Sequence, residues 1–151
     1  MEVLLPDWAP NIHPMIIHFP IVLWIIAVLA DLVCLFFQKN WLRNMAMTLY
    51  VLGAIGALGA YLSGTQAIDL VSVPMEGEVT AGNHADWGSY TFYFFTAYAT
   101  IRLFFFWKQW DKKKWLAVAL IIIGMVGIGM VAQTADLGAK LVYKYGVGTQ
   151  K

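Results

Sequence analysis

The chain has 151 residues, enough for one domain. Hydrophobic residues make up 60% and charged residues 13%, against about 45–50% and about 25% in soluble domains, which excludes an ordinary water-soluble globule. A net charge of +1 without a basic tail offers nothing to nucleic acid, and the single cysteine, Cys34, excludes an internal disulfide and a covalently attached c-type haem.

Four apolar runs are long enough to cross a ~30 Å hydrocarbon core as helices. They cover roughly residues 14–37, 42–68, 87–107 and 115–133, and predict an all-α, integral membrane four-helix up-down bundle forming one membrane domain over 1–151. Trp8, Trp41, Trp87, Trp107, Trp110 and Trp115 fall near run ends, where an aromatic belt belongs. No basic segment precedes the first run, so that run is expected to be its own insertion signal rather than a cleaved leader.

The first run opens Asn11-Ile12-His13-Pro14-Met15-Ile16-Ile17-His18-Phe19-Pro20. Pro14 suits a first helical turn. Pro20 frees the carbonyl of Ile16 and predicts a bend. Asp31 lies near the inner end of this run. The link to the second run carries Lys39 and Arg43. The second run holds Gly53, Gly56, Ala57, Ala60 and Gly64, small residues that suit close helix packing. A long link over 69–86 holds Asp69, Glu76, Glu78 and Asp86.

The third run starts at Asn83-His84-Ala85-Asp86-Trp87, with Asn83 as the expected N-cap. Arg102 sits as deep from its inner end as Asp31 does in the first run, which favours an Asp31–Arg102 ion pair over the alternative in which Arg102 reaches to the inner surface and Asp31 finds a hydroxyl. The link to the fourth run carries Lys108, Lys112, Lys113 and Lys114 against Asp111, and the fourth run has Gly124, Gly127 and Gly129. Both basic links are expected in the cytoplasm. Both termini, Glu2 and Asp7 at one and Lys140, Lys144 and Lys151 at the other, are then expected outside.

That topology puts His13, His18 and His84 at one outer edge. Imidazole is a common metal ligand, and ionisable residues at membrane depth are functional candidates. A b-type haem is usually held by histidines on two helices, a demand that His18 and His84 meet. Tyr90, Phe92 and Tyr93 are expected to line it, with Gly56 to Gly64 letting the ring approach the second run. His13 lies about 140° from His18 on a regular helix and is expected at a propionate. Three histidines allow no more than one such haem. Two other readings stand: a small copper or zinc site on His13, His18 and His84 with Asp86, and histidines that only hydrogen-bond carbonyls and water. No GxSxG, HExxH or phosphate-binding loop points to an enzyme, and no inverted repeat or broken-helix pair points to a transporter.

The opening HPMIIHFPIVLWIIAVLADL, the NHADWGSYTF start of the third run and the closing GAKLVYKYGVG resemble the DUF2231 family of small bacterial membrane proteins. The likeness covers almost the whole chain, at His13, His18, Asp31, His84, Arg102, Lys140 and Gly146. It implies a four-helix fold in the bacterial inner membrane. Some members are joined to Rieske or c-type cytochrome domains, which implies redox work at the outer surface. The chain is accordingly read as an electron-transfer subunit of a respiratory or photosynthetic complex. Quinone contact and a c-type or Rieske partner are further expectations. The competing reading is a cofactor-free scaffold or assembly subunit. The chain departs from the family at Tyr145, where many relatives show histidine.

Overall fold

The computed structural model describes residues 11–149; Glu2, Asp7, Trp8 and Lys151 lie outside them. The described chain is all-helical. A short α1 (His13–Ile16) leads into α2 (His18–Phe37), followed by α3 (Asn40–Ala67), α4 (Glu78–Trp107) and α5 (Lys114–Tyr143). Single 3₁₀ turns at Met75–Gly77 and Trp110–Lys112 precede α4 and α5. The four long helices close into a ring in which α2 and α4 each pack on both α3 and α5. Both hairpin turns lie at one end, since Arg43 of α3 bonds Asp111 of the α4–α5 link at 2.7 Å.

Three helical segments are long and apolar enough to cross a membrane: His13–Phe37, Asn40–Ala67 and Lys114–Tyr143. The sequence predicts four such spans; α4 falls short by composition, not by length. Its Thr91, Tyr98 and Arg102 face the bundle. Ser89, Thr96 and Thr100 return their hydroxyls to carbonyls one turn back, which makes them tolerable on an outward face. Hydropathy also undercounts helix length. The long link expected over 69–86 shrinks because α4 already begins at Glu78. Its N-cap is Gly77, and Asn83 and Asp86 lie inside the helix. In the same way α5 runs ten residues past the expected end at Gln133.

The helix breaks at Ile17, just before Pro20, which has no N–H for the carbonyl of Ile16. The core centres on Trp24, fully buried and stacked on Phe95 with ring centres 3.5 Å apart. Its indole N–H donates to the carbonyl of Gly124 at 3.0 Å. Small residues admit these rings. A Cβ on Gly56 would lie 3.2 Å from Pro20 Cδ, and one on Gly124 3.1 Å from the Tyr50 hydroxyl. At the far end of α5, Gly146 takes φ +69°. The N–H of Val147 reaches back to Leu141 O and that of Gly146 to Val142 O, ending the helix in a left-handed cap. This turn sets Tyr145 against Gly77. Hydrogen bonding to Thr80, and then to Lys144, holds the Tyr145 phenol below its ordinary range.

Candidate functional site

Three pairs of side chains meet along the centre of the bundle. At one end the rings of His13 and His84 stand edge to face, with centres 6.3 Å apart. In the middle Trp24 stacks on Phe95. At the hairpin-turn end Arg102 Nη2 donates to both carboxylate oxygens of Asp31, at 2.7 and 2.8 Å. Tyr50 adds its hydroxyl to Asp31 at 3.1 Å.

All three pairs obey one rule. Arg102 follows Asp31 by 71 residues, and the same offset relates His13 to His84 and Trp24 to Phe95. It also relates Gly53 to Gly124, Gly56 to Gly127, Ser63 to Thr134, and Gln38 to Gln109. The two glutamines are the non-glycine residues with positive φ among those described, each just past the end of its helix. The chain is thus a direct repeat of a helical hairpin. Each central pair is one position met by its counterpart.

Repeat-related partners also fix the imidazoles. His13 Nδ1 lies 3.0 Å from Ser63 Oγ, and His84 Nδ1 lies 3.0 Å from Thr134 O; both contacts span 50 residues. The carbonyl of Thr134 only accepts, so His84 Nδ1 carries a proton. Ser63 donates its hydroxyl to Ala60 O at 3.1 Å. Its oxygen is therefore left to accept from His13 Nδ1. Both neutral rings then keep their lone pair on Nε2. An imidazole whose Nδ1–H is anchored on a carbonyl or hydroxyl is in the form that binds metals through Nε2.

The structure places the other expected site residues differently. His18 is exposed and does not meet His84. The inward face of α2 carries Pro20, Trp24, Ala27 and Asp31. At about 100° per residue, His18 points roughly 200° away from Pro20. His13 takes the place next to His84, because α1 turns onto α3. Tyr90 and Tyr93 are exposed on α4, away from any ring slot. Phe92 stacks on Tyr61. Gly56 is closed by Pro20 and Gly64 by the His13 ring, whose Cε1 a Cβ would approach to 3.1 Å. Gly138 holds His84 in the same way at 3.0 Å. The space intended for a porphyrin is occupied by the protein's own rings, so these residues do not fit a haem. Among the described residues, no three His, Cys, Asp or Glu side chains gather as metal ligands. The small site expected on three histidines and Asp86 therefore reduces to a pair.

One signal of the true partner was present in the sequence. His13 and Asp31 are 18 residues apart, as are His84 and Arg102. That is about five turns and puts each histidine on the same face as its charged residue. The Arg43–Asp111 bridge had no such signal, because the acid lies in a link and not in a span. Arg43 further donates to Phe106 O at 2.7 Å and lies over the Phe106 ring at 3.8 Å.

A family model described as "Predicted membrane protein (DUF2231)" matches residues 9–151. No curated protein and no solved structure matches the chain.

Proposed function

This chain belongs to the DUF2231 family of predicted membrane proteins, and we propose that it spans the bilayer four times and holds a univalent copper ion between His13 and His84. The observation that carries this reading is the pair of Nδ1-anchored imidazoles. With both Nε2 atoms facing one ion in line, two metal–nitrogen bonds of about 2 Å, plus about 1 Å from each nitrogen to its ring centre, give about 6 Å between ring centres. The observed separation is 6.3 Å. Imidazole suits copper, zinc, iron and nickel. Two neutral ligands leave the ion's charge uncompensated, so at membrane depth the burial cost favours charge +1 over +2. Cuprous copper is the ion of that list that takes this charge and accepts two nitrogen ligands. In this reading the centre exchanges single electrons with an outer partner, of the c-type cytochrome or Rieske class that the resemblance implies.

Orientation follows from the basic links. Lys39 and Arg43 lie at the same end as Lys112, Lys113 and Lys114, which the positive-inside rule assigns to the cytoplasm. The imidazole pair and both termini then face outward from the bacterial inner membrane, and α4 crosses with the rest. Reporter fusions at Asn40 and Asp111 are expected to report cytoplasm and a fusion at the C-terminus periplasm. A periplasmic signal at Asn40 overturns the orientation.

The copper reading is tested by anaerobic titration of the purified protein with cuprous ion against a competing chelator. One equivalent is expected to bind the wild type and His18→Ala. His13→Ala and His84→Ala are each expected to lose at least about tenfold in affinity, the cost of a ligand or its anchor. Equal binding by all four proteins contradicts it.

A further inference from the structure

At the hairpin-turn end, opposite the imidazoles, a cavity of about 270 Å³ opens between the helices. Asp31, Arg43, Arg102 and Asp111 lie in its wall, with Lys39, Lys112 and Lys114 around them. Both carboxylates are committed, Asp31 to Arg102 and Asp111 to Arg43. The three ammonium groups are left as an uncompensated positive charge. Two helices also start here: α3 at Asn40 and α5 at Lys114, neither with a side-chain cap. Their free N–H groups and positive dipole ends add to the attraction for an anion. The buried guanidinium of Arg102 in the wall has a further donor, Nε, with no hydrogen-bond partner. Trp41, Trp107, Trp110 and Trp115 are exposed at this end. They mark it as the level of the lipid headgroups.

We infer that this cavity binds the phosphodiester headgroup of an anionic phospholipid. The phosphate sits among Lys39, Lys112, Lys114 and the two helix starts, and its acyl chains lie along the outward faces of α2 and α5. Basic pockets between membrane helices recognise headgroups in this manner. A freely diffusing anion would need no tryptophan rim and no apolar flanks.

The test uses the full chain in nanodiscs of phosphatidylcholine with or without phosphatidylglycerol, followed by native mass spectrometry of the lipids that remain bound after release. Phosphatidylglycerol is expected to stay on the wild type in preference to phosphatidylcholine. Lys39→Gln/Lys114→Gln is expected to weaken its retention about tenfold or more, the loss that two interfacial lysines carry. Lys108→Gln/Lys113→Gln removes the same charge at the same end from residues outside the cavity wall, and is expected to retain the lipid. All four lysines are exposed, so both variants should keep the fold. Equal losses in the two variants would mean a diffuse surface attraction and overturn the site. Displacement of the lipid by millimolar inorganic phosphate, or binding of phosphate with no lipid retained, overturns the headgroup assignment.

Discussion

Asp31→Asn is expected to destabilise the bundle by about 3–5 kcal/mol, because it leaves the Arg102 guanidinium buried without its counter-charge. Arg102 donates twice to Asp31 from a site almost closed to the surroundings. The amide keeps the shape of the carboxylate and still accepts from Tyr50, so the loss is one of charge and not of volume. Arg102→Met is expected to cost a similar amount for the reciprocal reason. The double variant Asp31→Asn/Arg102→Met should recover a large part of either loss, since a neutral pair strands nothing. Unfolding by SDS in mixed micelles measures all three. Strictly additive costs would mean that the two side chains do not act as a pair.

Gly127→Ala is expected to cost about 1–3 kcal/mol, although alanine is the better helix former. A Cβ there would lie 2.5 Å from Trp24 Nε1, 2.8 Å from Trp24 Cε2 and 2.9 Å from Phe94 Cε1. The indole has nowhere to retreat. Phe95 covers its face, and its N–H is tied to Gly124 O. The two nearest of these atoms belong to the five-membered ring of the indole, so Trp24→Phe removes them and leaves the 2.9 Å approach to Phe94 Cε1. Trp24→Phe alone loses packing and a hydrogen bond, yet in the Gly127→Ala background it is expected to restore part of the lost stability. No recovery in the same micelle assay would show that the Trp24 indole is not what the added methyl meets, and that the Trp24–Phe95 stack is not the fixed centre.

Some of this architecture could be read directly from residue order. The apolar runs mark all four long helices, three of them apolar enough to cross a membrane, and equal depth marks Asp31 and Arg102 as partners. What hydropathy missed has one physical cause: it measures contact with lipid, whereas helix length and side-chain facing depend on packing. The polar first turns of α4 looked like a link for that reason. The 18-residue spacing puts His13 rather than His18 on the face of Asp31, the face on which Pro20 and Trp24 are buried. The direct repeat was hidden because few of its positions keep identical residues. Of the pairs named above, His13 and His84, Gln38 and Gln109, Gly53 and Gly124, and Gly56 and Gly127 are identical. By contrast the central pairs Trp24–Phe95 and Asp31–Arg102 differ, each half supplying what the other lacks. An ion pair on a near-symmetry axis demands such a difference, since two aspartates or two arginines there would repel.

The His13–His84 pair is the repeat-related contact that kept its chemistry on both sides, and the copper proposal rests on it. X-ray absorption at the copper edge, on protein loaded anaerobically with one equivalent of cuprous ion, tests that proposal most directly. Two nitrogen scatterers at about 2 Å are expected in the wild type, with the same spectrum in His18→Ala and its loss in His13→Ala and His84→Ala. A wild-type spectrum that persists in His13→Ala, or that His18→Ala abolishes, would contradict it.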